Sequence, residues 1–206
     1  MSATDILVTA FLPFGGDELN PTELVLERLP DFICGRRIRK LLLPVEFSTA
    51  GKLAADEFER LSPAAVIMLG QAGGRRAVTP ERRAVNLMEA RIPDNAGFEP
   101  HGLPVKEGGK AELISTLPID IIVSAVRAMG LPAEVSESAG TYVCNSVMYS
   151  VLDRSFGRIP AGFIHVPFIR EQVEGVKGRE SLPFMELEDI ERAVKAAIGA
   201  VARYSD

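Results

Sequence analysis

Cysteine is scarce in this 206-residue chain: Cys34 and Cys144 are the only two, too few for a disulfide framework, and reduced thiols in a cytoplasmic protein are expected. Long hydrophobic runs are missing too. No apolar stretch approaches the roughly 20 residues that a membrane helix requires, so no membrane span is expected. The N-terminal MSATDILVTAFLPFGG has no basic leader before its apolar run, which Pro13 and Gly15 interrupt, so no secretory signal is expected. Positive charge is not in excess. The 23 Lys and Arg face 28 Asp and Glu, a formal net charge of −5, which gives a nucleic-acid partner no support. There is no HExxH and no paired Cys/His spacing, so no metal site is expected. GQAGGRR and PFGG match neither a Walker loop nor the full GxGxxG pattern.

What is present is ordinary for a globular domain: 47% hydrophobic and 25% charged residues, which exclude a disordered tail or a fibre. No repeat, low-complexity tract or linker divides the chain, so residues 1–206 are read as a single domain. Apolar strand patterns occur at 5–11, 36–45, 64–70 and 162–168, with a possible strand around 82–89 and an alternating one at 133–139. Helical patterns lie at 20–30, with Asn20 as cap and Pro21 in the first turn, and at 47–61, 119–130, 144–156 and 187–204. Strands alternating with helices predict an α/β fold: a three-layer α/β/α sandwich around a twisted, mostly parallel sheet.

In such sheets ligands bind beyond the carboxyl ends of the strands. Cys144 sits where a loop carrying Gly140 hands over to a helix. There the helix dipole and the free N–H groups can stabilise a thiolate or a developing oxyanion. The same position also suits a small buried hydrophobe. His165 lies in the last strand, with Ile164, Val166 and Phe168 expected on the opposite face, and it can serve as a base or be a hydrogen-bonded core residue. His101 reads as exposed. Spacing alone does not choose an orienting carboxylate from 28 acids.

Six blocks in register carry a resemblance: TAFLPFGG (9–16) with NP (20–21), LGQAGGR (69–75), TPERRAVN (79–86), ARIPDNAG (90–97), SAGTYVCNSVMY (138–149) and GFIHVPF (162–168). Together they resemble the pyroglutamyl peptidase I family of cysteine exopeptidases. The stretch 171–186 matches least.

The resemblance implies removal of an N-terminal pyroglutamyl residue from peptides through a thioester, with no metal or organic cofactor. It implies Cys144 as nucleophile, His165 as base and Glu81 as orienting carboxylate. It further implies Phe11 and Phe14 around the lactam ring, Gln71 and Val143 lining its pocket, Asn20 supporting the loop and Arg91 beside the oxyanion. It also implies a homo-oligomer, a homotetramer. Other readings are a hydrolase of another blocked amide and a module that only binds blocked N-termini. Ala10 and Leu12 depart from the family's usual glycine and frequent polar residue, and Glu137 adds a carboxylate before the nucleophile's loop.

Overall fold

The computed structural model describes residues 5–204. The first apolar run forms β1 (Asp5–Phe11), buried from its second residue onward. Helix α1 (Pro21–Arg28) follows, opened by Asn20, whose side chain accepts from the Thr22 N–H, and by Pro21 at its first turn. A two-residue strand β2 (Phe32–Ile33) folds back on β3 (Arg36–Leu43). Helix α2 (Ala50–Leu61) then leads to β4 (Ala65–Gln71), all of whose residues are buried.

The Gly/Pro-rich middle holds the short strands β5 (Thr79–Pro80), β6 (Arg83–Val85) and β7 (Glu112–Ile114). The chain closes with α3 (Ile119–Ala128), α4 (Val143–Ser155), β8 (Ala161–Val166) and α5 (Leu187–Tyr204).

Six strands make one sheet in the order β2-β3-β1-β4-β8-β5. The inner pairs β3–β1, β1–β4 and β4–β8 are parallel, and the outermost strands β2 and β5 pair antiparallel. This is an α/β fold with helices on both faces. Ile6, Val8 and Ala10 of β1 face a core shared with α1, α3 and α5, while Leu7 and Phe11 face one shared with α2 and α4. Period-two alternation in a strand produces this division. On α5 the fully buried Ile190, Ile198 and Val201 each contribute about 1.5–3 kcal/mol of burial.

Three expectations are corrected. The alternating stretch 133–139 is not a strand; it meets 78–81 only through the isolated bridges Val78–Ala133 and Glu81–Ser136. Pro80, between those two bridges, has no N–H to donate, so a continuous ladder cannot form there. The possible strand at 82–89 shrinks to β6, paired antiparallel with β7, a strand with no clear signal in the sequence. The strand read at 36–45 ends at Leu43, immediately before Pro44.

Candidate active site

The site is built at the carboxyl ends of β4 and β8 and the first turn of α4. On β8, Phe163 and His165 point to the α2/α4 side, whereas Ile164 and Val166 enter the opposite core. In the ladder His165 stands beside Gly70 of β4 on one side and Thr79 of β5 on the other. Gly70 is a necessity of packing. A Cβ there would lie 2.6 Å from the Phe163 ring and 3.0 Å from Sγ of Cys144. The thiol therefore sits over Gly70, whose backbone is one strand spacing, roughly 4.8 Å, from that of His165.

Cys144 is the second residue of α4, and Tyr142, which precedes the helix, offers no side-chain cap. The first N–H groups of the helix have no intrahelical acceptor, and that of Cys144 itself favours the thiolate. Asn145 holds this helix start in place. Its Oδ1 accepts from the Val85 N–H at 2.8 Å, and its Nδ2 donates to the carbonyls of Val85 (2.9 Å) and Leu87 (3.0 Å).

His165 Nδ1 lies 2.7 Å from Oε1 of Glu81, a carboxylate with no exposed surface. Because a carboxylate only accepts, Nδ1 carries the proton, and Nε2 is left with its lone pair. Glu81 is placed by its own backbone, whose N–H donates to the Phe163 carbonyl at 2.9 Å. A cation shares the same oxygen: Arg75 Nη1 lies 2.6 Å from Oε1 and also contacts the Thr79 hydroxyl. Sequence reasoning passed over Arg75.

Burial pushes the His165 imidazole below its ordinary value of 6.5, and the Glu81 contact offsets this only in part. Burial also pushes the half-buried Cys144 thiol up to about 12; the Glu81 charge adds to the rise, while its own backbone N–H and Arg75 oppose it. Both shifts favour the uncharged forms, thiol and imidazole.

The other sequence-identified residues fall as follows. Phe11 is buried against Phe163, ring centroids 6.2 Å apart, and the half-buried Phe14 lies 6.0 Å from Tyr142. Val143 is fully buried one residue before the thiol, and Gln71 is 8% exposed at the end of β4. Asn20 caps α1 and also donates to the Leu12 carbonyl at 3.1 Å, tying the loop after β1 to the helix that follows it. Phe11, Phe14 and Val143 share the α2/α4 core.

Arg91 is exposed on the loop after Ala90, and Arg75 is a cation whose charge lowers the thiol pKa. Ala10 lies inside β1 and is absent from the left-handed residues, so it brings no strain. Glu137 turns outward, 71% exposed, to pair with Arg82 at 3.1 Å. His101 is exposed beside Glu89, and Cys34 is exposed beside Arg203. Two clefts, one of about 540 Å³ between α2 and α4 and one of about 640 Å³ beside Arg75 and Pro132, contain none of the nine residues singled out from the sequence. Chemistry, rather than volume, locates the site.

The sequence model of the pyroglutamyl peptidase family matches residues 4–204. The chain belongs to that family. Among its relatives, the pyrrolidone-carboxylate peptidase of Lactobacillus johnsonii is 46% identical over 199 residues, 95% of this chain and 91% of the relative. That of Streptococcus pyogenes is 43% identical over 204 residues, 98% of this chain and 94% of the relative. The crystal structure of pyroglutamyl peptidase I from Bacillus amyloliquefaciens superposes with a TM-score of 0.92 at 38% identity, covering 98% of each chain. Pyrrolidone carboxyl peptidase from Thermococcus litoralis gives 0.92 at 36% identity, over 98% of this chain and 94% of its own. Among the described residues no three His, Cys, Asp or Glu side chains gather as a metal site requires, and no helix is long and apolar enough to cross a membrane.

Proposed function

We propose that the chain is a cysteine exopeptidase that hydrolyses the amide bond after an N-terminal pyroglutamyl residue. The observation that carries the mechanism is the buried His165–Glu81 hydrogen bond of 2.7 Å on the sheet face covered by Cys144. Family membership over nearly the whole chain supports the reaction class. Substrates are peptides that begin with pyroglutamate.

Cys144 attacks the pyroglutamyl carbonyl as His165 Nε2 takes the thiol proton. The S–C bond forms, and the first-turn N–H groups of α4 receive the negative charge on oxygen. Glu81 stabilises the imidazolium, which then protonates the leaving amine as the C–N bond breaks. Water, giving its proton to His165, hydrolyses the thioester to pyroglutamic acid and restores the thiol. Every proton in this sequence has a carrier among these residues. Both pKa shifts favour the uncharged groups, so the proton leaves the thiol as attack proceeds.

Phe11, Phe14 and Val143 supply an apolar, partly aromatic wall for a flat neutral ring, and Gln71 supplies amide groups for its N–H and C=O. Asn20 fixes the loop that carries Phe14. Arg91, by resemblance to the family, lies near the oxyanion and assists the backbone N–H of Cys144. The whole chain acts as one peptidase domain in the cytoplasm and assembles as a homotetramer, a state that light scattering reads directly.

The test is hydrolysis of a fluorogenic pyroglutamyl amide under reducing conditions, beside prolyl and acetyl-alanyl amides. Turnover of the pyroglutamyl amide alone, abolished by thiol alkylation and untouched by chelators, is the expected result. Preference for another blocked amide would move the specificity elsewhere. A folded chain that binds pyroglutamyl peptides without turning them over would leave a binding module.

A further inference from the structure

The stretch 171–186, least similar to the family in sequence, sends two side chains back to the loop after β1. Gln172 closes a single 3-10 turn (Arg170–Gln172) just beyond β8 and is 4% exposed. Its Oε1 accepts from the Ile169 N–H at 3.2 Å, a group that can only donate. Its Nε2 faces the Leu19 carbonyl at 3.1 Å and Asp17 Oδ2 at 3.3 Å, groups that only accept. This pattern fixes which end of the Gln172 amide is nitrogen.

The same Nε2 lies 2.8 Å from Gln71, so Gln71 presents its Oε1 there and turns its own Nε2 toward Asp17 Oδ2 at 3.4 Å. Arg179 secures the other end of the relay. It holds Asp17 Oδ1 at 2.7 Å and lies 4.7 Å over the Phe168 ring. That ring packs against Gly73 so tightly that a Cβ there would lie 2.2 Å away.

We propose that Gln172 is a positioning residue for lactam recognition: it holds the Gln71 amide in one orientation, so that one side chain offers a fixed acceptor beside a fixed donor. This rests on the reading that Gln71 lines the ring pocket. A lactam carries N–H and C=O side by side in fixed order, and an amide opposite it binds well in only one of its two flips. An unpinned glutamine occupies both. The relay selects the orientation before substrate arrives, and it selects against five-membered rings without the amide.

The test compares Gln172→Met, Gln172→Glu and Gln71→Ala on a pyroglutamyl amide. Its cyclopentanecarbonyl analogue, with the same ring size but no lactam N–H or C=O, serves as a competing ligand. Loss of one well-placed hydrogen bond predicts about a tenfold rise in KM with kcat nearly unchanged. The competitor's inhibition constant stays where it was, so preference for the lactam falls by the same factor. Gln172→Glu does more harm than Gln172→Met, because a carboxylate draws the Gln71 nitrogen toward itself. Should the glutamate variant not fold, the uncharged methionine of similar length carries the test. Equal weakening of both ligands, or of neither, overturns the proposal. If Gln71→Ala itself leaves the preference intact, the ring-pocket reading fails; if only the Gln172 variants leave it intact, this inference fails alone.

Discussion

At the scale of single residues, one carboxylate oxygen organises the chemistry. Glu81 Oε1 receives His165 on one side and Arg75 on the other. The two contacts do different things: under the proposed mechanism His165 is oriented as a base, while Arg75 balances a charge buried away from water. The free imidazole must be neutral to accept the thiol proton, and burial lowers its pKa from 6.5. Activity is therefore kept as pH falls through 6.5 and is lost only below that value, when the folded-state imidazole takes up a proton. A pH profile of kcat/KM reads this limb; a midpoint at or above 6.5 would contradict the reading.

Arg75→Met sharpens the test. The Arg75 charge lowers both His165 and Cys144, so its removal raises both and moves the acid limb to higher pH. The stability cost is about 1–3 kcal/mol, less than for a fully buried pair because 28% of the Arg75 side chain meets solvent. An acid limb that stays in place in the Met variant would remove Arg75 from the account. Legibility at this scale was uneven. Cys144 and His165 stood out by type and position, since a chain with two of each offers few choices. Glu81 was one acid among 28 until the family blocks singled it out, and Arg75 gave no local signal, because its role depends on the path of the chain between β4 and β5.

At the scale of elements, the site is a meeting of strand ends and one helix start, and close packing maintains it. Gly70 leaves room on β4 for both the Phe163 ring and the thiol. Gly70→Ala is expected to push Sγ or the ring out of place and to lower kcat/KM by about a hundredfold, given the sensitivity of attack geometry to shifts of about 1 Å. Circular dichroism should show the sheet intact. Full activity in Gly70→Ala would mean that the thiol does not work from the position over β4.

The long elements were legible because burial imposed their periods: β1 and α5 have the bounds their patterns predict. The short ones were not. β6 and β7 are three residues each, too short for a period to register, and 133–139 alternates while lying against a proline-interrupted neighbour. The 3-10 turn holding Gln172 follows from tertiary contacts with the β1 loop rather than from propensity.

At the scale of the whole molecule, two cores lie on opposite faces of the sheet, and the proposed catalytic residues Cys144, His165 and Glu81 lie at its strand ends. Fully buried side chains such as Ile6, Ile67 and Ile164 on one face, and Leu7, Met68 and Phe163 on the other, fix the strands whose ends carry the chemistry. Cys144 is only partly buried against the second core, so trimming its sulfur removes little packing. The fold and the thiol chemistry are therefore separable. Turnover of a fluorogenic pyroglutamyl amide by the parent chain and by Cys144→Ala, each verified as folded by its thermal unfolding transition, tests the central claim most directly. The account predicts turnover by the parent and at least a thousandfold loss, about 4 kcal/mol of transition-state stabilisation, in the alanine variant. Comparable turnover by a folded Cys144→Ala would contradict it.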